Sequence, residues 1–424
     1  MKHLFFSCFL LIGTVVNAQN TIKDGVYSAI ENKVIEWRHH FHQNPELSNR
    51  EFKTAEKIAA HLESLDIEVQ TGVAKTGVVG LLKGKKKGKV IALRADIDAL
   101  PVTERNNLPF KSEVKTSFLN TETGVMHACG HDTHTAILMG VAEILSKNRD
   151  KIKGAVKFIF QPAEEGPPPG EKGGAALMIK EGVLENPKVD AIFGLHIRSN
   201  YDLGTIHYKK GGIMASVERF VINVKGKQTH GGRPWQGVDP ILISAKIIDG
   251  LQTIISRESK LVEEAAVITV GKITAGTRFN IIPESAELIG TVRTLDTKMK
   301  ALIEKRMTEM VTTLAKAYGG EATIEFQNNA SITYNDFDLV DKMMPTMERV
   351  AGKENVKLRK ATTGGEDFSY FQEVVPGFYF FLGGMTPGNT QSFPHHTPDF
   401  KIDDNSMLLG VKTMTEMALD FLND

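Results

Sequence analysis

Cysteine is nearly absent from this sequence: Cys8 and Cys129 are the only two in 424 residues. Cys8 falls in an apolar run from Leu4 to Val16, after Lys2 and His3 and before Val16-Asn17-Ala18. That is the layout of a cleavable export leader, with its small-residue cleavage site. The run is shorter than the roughly 20 apolar residues of a membrane span. Residues 1–18 are therefore expected to leave as a signal peptide, giving an exported, periplasmic bacterial product with no membrane attachment. The Phe5-Phe6-Ser7 context of Cys8 is a poor one for lipid attachment. The mature chain keeps Cys129 alone, so it can form no internal disulfide.

An excess of charge is also missing, because 51 Lys and Arg face 51 Asp and Glu. A polyanion-binding surface is not expected from that balance, and nucleic acid is not an expected partner. No later stretch is long and apolar enough to span a membrane, and no internal repeat or low-complexity tract occurs. The basic, glycine-bearing run Lys83 to Lys89 lacks phosphate-loop spacing and reads as a solvated turn between strands. What remains is an ordinary globular composition, 41% apolar, with length for about two or three domains.

From Asn20 to about Lys210, short β-branched runs alternate with amphipathic stretches. Strands are expected at Val78 to Leu82, Val90 to Arg94, Ala155 to Phe160 and Ala191 to Leu195. Helices are expected at Lys33 to His42, Phe52 to Leu65, Thr133 to Lys147 and Ala175 to Gly182. This order gives an α/β sheet. Near Gly211-Gly212 the order becomes strand (Glu218 to Val224), helix (Pro240 to Ser256), two strands (Ala266 to Ile273, Ala286 to Leu295), helix (Thr297 to Tyr318) and strand (Ala322 to Phe326). That is the ferredoxin-like β-α-β-β-α-β unit. The first style resumes after Asn328, so residues 213–328 read as an insertion between two catalytic segments, 19–212 and 329–424.

Polar groups follow three of the expected strands: Asp96 and Asp98, Glu164 and Glu165, and His196. Ligands of open α/β sheets bind outside the carboxyl ends of strands, so these groups can converge. Cys129 and His131 stand two apart, and an extended stretch would aim both the same way. Thiolate, imidazole and carboxylate together suit zinc and related ions. A cysteine packed as a small hydrophobe is the plainer alternative. His396, in Pro394-His395-His396-Thr397-Pro398, is a further donor in a stretch biased to extended backbone. Glu164-Glu165 offers one acid for metal and one for the proton of an attacking water.

At this point several stretches match one family in order: RHHFHQNPELS (38–48), RADIDALP (94–101), MHACGHDTH (126–134), QPAEE (161–165), GLH (194–196), KGKQTHGGRPWQGVDP (225–240), FNIIP (279–283), GGEDF (364–368) and HTP (396–398). The sequence resembles the dinuclear-metal amidohydrolases of the aminoacylase and carboxypeptidase superfamily. It is most similar to the branch of hippurate hydrolases, N-acyl-amino-acid amidohydrolases and auxin-conjugate hydrolases.

The resemblance implies a metallo-exopeptidase-like catalytic domain with an inserted lid and dimerisation domain. It also implies two divalent ions, Zn or Mn with Ni or Co compatible, held by Cys129, His131, Glu165, His196 and His396. Glu164 would be the general base, and Asp98 would orient a ligand from behind. His230 would reach an active site, commonly a partner subunit's, to polarise the substrate carbonyl, which implies a homodimer through the inserted domain. Asn280 and Arg293 are candidates to receive a substrate carboxylate.

His39, His40 and His42 are expected to be structural, as are His134 and His395 beside better donors, and Glu366 and Asp367 to be supports. The GPPPGEK loop (166–172) departs from the family pattern and stiffens the approach to the site. The implied activity is hydrolysis of N-acyl amino acids or related small amide conjugates. The alternatives are a carboxypeptidase or dipeptidase with the same machinery, and a metal-dependent solute-binding protein without chemistry.

Overall fold

The computed structural model describes residues 21–389 and 393–424. The expected leader, residues 1–18, lies outside the described residues. An eight-stranded sheet runs in the order Glu68–Val73, Gly77–Lys83, Lys153–Gln161, Lys86–Asp96, Ala191–Asp202, Gly377–Met385, Ile206–Tyr208 and Val356–Leu358. Its centre, from Lys153–Gln161 to Gly377–Met385, is parallel throughout. Parallel strands are covered on both faces, which is why Ala191 to Ile197 is buried without alternation. One face packs against helices Glu31–Gln43, Phe52–Ser64, His131–Lys147, Phe337–Ala351 and Met407–Asn423 through Phe158, Phe193 and Leu382. The other face packs through Ile159, Ile192, Phe371 and Tyr379.

Residues Val217 to Ala330 build a separate four-stranded sheet in the order Ala266–Ala275, Ser285–Thr294, Val217–Lys225, Glu321–Ala330, every pair antiparallel. Phe220, Ile222 and Val224 alternate inward along their strand and meet Ile247, Ile303 and Met307 of two covering helices. Those helices start where the sequence supplies a cap. Asp239 accepts from the Ile241 and Leu242 amides ahead of Pro240–Thr253, and Asp296 accepts from the Met299 amide 2.7 Å away at the head of Thr297–Ala317. The element order is the expected β-α-β-β-α-β.

Lys83 to Lys89 is only partly a turn, because the strand Lys86–Asp96 already begins within it. The edge strand Glu68–Val73 and the hairpin of Lys115–Phe118 with Thr121–Gly124 were not expected from the sequence. Both are short and largely exposed, and they lack the apolar runs by which strands are recognised. Among the described residues, no helix is long and apolar enough to cross a membrane.

Candidate metal centre

The parallel central strands end along one edge of the sheet, and a cleft of about 950 Å³ opens there. Asp98 follows Lys86–Asp96, Glu164 and Glu165 follow Lys153–Gln161, and His196 lies in Ala191–Asp202. Cys129, Glu164, Glu165, His196 and His396 line the cleft, and Val217 and Arg293 border it from the four-stranded sheet.

The expected donors form two groups that share a member. Cys129, His131 and His196 offer atoms within 4.8 Å of one another, as do Cys129, Glu165 and His396. Cys129 Sγ lies 3.3 Å from His196 Nε2 and 3.3 Å from His396 Nε2. The geometry thus makes the cysteine the donor common to both groups, a point the sequence left open.

Two local expectations are corrected. Cys129-Gly130-His131 is not extended: Gly130 is left-handed, at φ 93°, and His131 is the first residue of a helix. A Cβ on Gly130 would lie 2.3 Å from Ile197 Cγ2, so the turn that brings His131 round to Cys129 needs glycine both for its conformation and for its space. His396 is not extended either. It sits at φ 61°, and Ala163, just before the paired acids, sits at φ 52°. Such positions cost of order 1–3 kcal/mol each and persist where surrounding structure holds them, commonly at functional sites.

Ring orientation supports metal ligation. His131 Nδ1 donates to the Asp98 carbonyl at 2.8 Å and His196 Nδ1 to the Ile197 carbonyl at 2.6 Å, so each ring turns Nε2 toward the cysteine. His131 Nε2 is buried with no hydrogen-bond partner. Glu165 Oε1 lies 2.9 Å from His396 Nε2, yet it too has no hydrogen bond, as two donors aimed at a common point would have it. Burial pushes the Cys129 thiol up, so the buried sulfur is poorly ionised until a cation joins it. These orphaned atoms and the N, O and S donor set fit divalent transition-metal ions.

His134 also meets Asp96 and His131 within ligand distance, but both its nitrogens are used. Nδ1 donates to Asp96 Oδ1 at 2.6 Å, and Nε2 accepts from the Ile197 amide at 2.8 Å. His395 likewise spends its ring on the Cys129 carbonyl and the Ser199 amide. His42 is buried between Asp132 and Glu104, and His39 bonds Asp404.

Asp98 holds the centre from behind. It receives Ser48 Oγ at 2.7 Å and the Glu164 and Glu165 amides at 3.1 Å each, and its Oδ1 lies 3.2 Å from His131 Nδ1. Burial raises its pKa, but the His131 and Ser48 hydrogen bonds prevail and hold the carboxyl below its usual range. One carboxylate therefore fixes a ligand ring and the loop carrying both acids.

Glu164 lies beside the donors, with Oε2 3.8 Å from His131 Nε2 and within reach of Glu366 and Asp367. Burial, then the charges of Glu366, Glu165 and Asp367, push its carboxyl well above the usual range. Beneath it, buried Arg94 donates to Asp96 at 2.7 Å, to Glu366 at 2.9 Å, to Asp367 at 3.2 Å and to Gln161 at 2.8 Å. Glu366 and Asp367 are thus held by Arg94, and they also line the cleft within ligand distance of Glu164. Arg94 itself was not singled out in the sequence, where a lone arginine in a strand carries no signal of its partners. Arg94→Met is expected to destabilise the fold by about 3–5 kcal/mol, since it strands buried carboxylates. Thermal unfolding checks this, and a melting temperature unchanged from wild type would refute it.

The remaining candidates separate. Arg293 lines the cleft, with Nη1 buried and without a hydrogen-bond partner. His230 is exposed on a small ribbon that pairs Thr229–His230 with Ile281–Ile282, and Asn280 adjoins it. Neither lines the cleft of its own chain.

Residues 92–420 match the model of peptidase family M20/M25/M40. The chain is 40% identical to thermostable carboxypeptidase 2 of Saccharolobus solfataricus over 96% of its own length and 99% of that protein's. It is 38% identical to the N-acetylcysteine deacetylase of Bacillus subtilis, over 92% and 97% of the two chains. A dinuclear metal binding peptidase of Bacillus subtilis superposes with a TM-score of 0.78 at 36% identity, covering 93% of this chain and 99% of that one.

Proposed function

The chain belongs to peptidase family M20/M25/M40 and is a metal-dependent hydrolase of amide bonds, and we propose that its substrates are N-acyl amino acids or related small amide conjugates. The observation that carries this reading is the pairing of a shared-cysteine donor set with an acid, Glu164, that stands beside it. Two divalent ions, zinc or manganese, held by Cys129, His131, Glu165, His196 and His396, would polarise the scissile carbonyl and acidify the attacking water.

Glu164 accepts the proton of that water as the new C–O bond forms, then delivers it to the amide nitrogen as the C–N bond breaks. Burial favours the protonated form of Glu164, and so suits the second half of that cycle. Asp98 keeps His131 and both acids in register through the hydrogen bonds described above. His230, exposed and outside its own cleft, is assigned to the cleft of a second copy in a homodimer formed through residues 213–328. Export to the periplasm is part of the same proposal and rests on residues 1–18.

A panel assay separates acylase from carboxypeptidase or dipeptidase chemistry. After chelation and refilling with Zn or Mn, the mature protein should release free amino acid from N-acetyl or N-benzoyl amino acids faster than from dipeptides. Faster turnover of dipeptides would make it a peptidase. Binding of these compounds without cleavage, under any refill, would make it a solute-binding protein.

A further inference from the structure

One cation in the cleft has no balancing charge. Arg198 lies two residues beyond His196 on the strand Ala191–Asp202, so both side chains leave the sheet on one face, and both line the cleft. Its guanidinium sits 4.4 Å over the ring of Phe381, and Nη2 lies 4.0 Å from Met214 Sδ. Nε is buried without a hydrogen-bond partner. Among the described residues, no carboxylate stands within ion-pair distance of it. Arg198 is half-buried, and stacking on Phe381 holds its guanidinium in place while leaving the fork of N–H donors free to meet an anion in the cleft.

Arg293 borders the same cleft from the four-stranded sheet, with its Nη1 likewise buried and without a hydrogen-bond partner. Its Nη1 would be 3.6 Å from a Cβ on Gly365, while Met214 Cε would be 3.5 Å from one on Gly364. Arg198, Met214, Gly364, Gly365 and Arg293 therefore follow one another along the cleft, with Val217 packed against Gly365. The acids that follow Gly365, Glu366 and Asp367, are already paired with Arg94.

We propose that Arg198 is a subsite for a second anionic group, so that the preferred substrates are acylated amino acids bearing two carboxylates, one on Arg198 and the other on Arg293. The second carboxylate belongs either to the amino-acid side chain or to a dicarboxylic acyl group. The inference rests on the amidohydrolase reading. A planar fork held by stacking meets a carboxylate through two parallel hydrogen bonds. At about 1.5–3 kcal/mol for hydrogen bonds to a charged group, a preference of roughly 10- to 100-fold follows.

The test uses the full-length mature, metal-refilled enzyme and two matched pairs: N-acetyl-glutamate against N-acetyl-glutamine, and N-succinyl-alanine against N-butyryl-alanine. One pair should favour its dicarboxylate about 10- to 100-fold in kcat/KM, and which pair does so locates the second anion. Arg198→Gln should bring that ratio toward unity through KM, while Arg198→Lys keeps part of it. Equal rates within both pairs, or a preference that survives Arg198→Gln, would overturn the subsite. Calorimetric titration of glutarate against glutaramate reads the subsite without turnover. Tighter glutarate binding that Arg198→Gln abolishes, in a protein that cleaves no amide, would uphold the subsite and sink the amidohydrolase reading. Indifference to the second carboxylate there would overturn the subsite.

Discussion

Glu164→Gln lowers kcat by about 1,000-fold, within the 100- to 10,000-fold range of a positioned general base, while two metals stay bound. Glutamine keeps the size and the hydrogen-bonding reach of the side chain but cannot take a proton from water. Glu164 groups with His131 and Glu165, whereas Glu165 also groups with Cys129 and His396. The lost rate corresponds to about 4 kcal/mol of transition-state stabilisation. Metal analysis beside steady-state kinetics checks the split between chemistry and binding. More than a tenth of wild-type turnover with full metal content would remove Glu164 from the proton path. Loss of metal along with activity would make it a ligand instead.

Cys129→Ser should weaken both metal positions together, because one sulfur serves both donor groups. Loss of a mere supporting partner behind a ligand costs about 10- to 100-fold in affinity, so loss of a shared ligand should exceed 100-fold. Turnover at fixed low metal should fall in parallel. A serine hydroxyl is close to the thiol in shape but is much harder to ionise, so packing is preserved while the charge is lost. Elemental analysis after dialysis against a weak chelator reads the result. Retention of two ions per chain would refute the shared-ligand arrangement and leave Cys129 as buried packing.

Much of this centre was legible in the sequence because sheet topology carries it. Residues just past apolar runs, such as Asp98, Glu164, Glu165 and His196, must meet once the strands are parallel and adjacent. Cys129 stood out through scarcity, as the one cysteine beyond the apolar run of residues 4–16. The order of the inserted segment was readable because its strands alternate cleanly, and Asp239 and Asp296 mark its helix starts.

What escaped depends on conformation or on distant partners. The left-handed Gly130 and His396 reverse the chain at the ligands, and neither turn follows from the spacing that first suggested ligation. Arg94 is joined to Glu366 across 272 positions of sequence, and no local pattern encodes that pairing. Arg198 is conspicuous only once its surroundings are seen to lack an acid. His230 is of another kind: it is exposed on its ribbon, with Nδ1 accepting from the Gly232 amide, so the role proposed for it depends on a second copy and not on its own chain.

The most direct measurement is a titration of the chelated, full-length mature protein with Zn or Mn, following bound metal and amide hydrolysis in the same samples. Two ions per chain should bind, with no hydrolysis of an N-acyl amino acid in the metal-free protein and full hydrolysis once both positions fill. Turnover by the metal-free chain, or a rate that saturates with a single bound ion, would contradict a dinuclear centre built on Cys129.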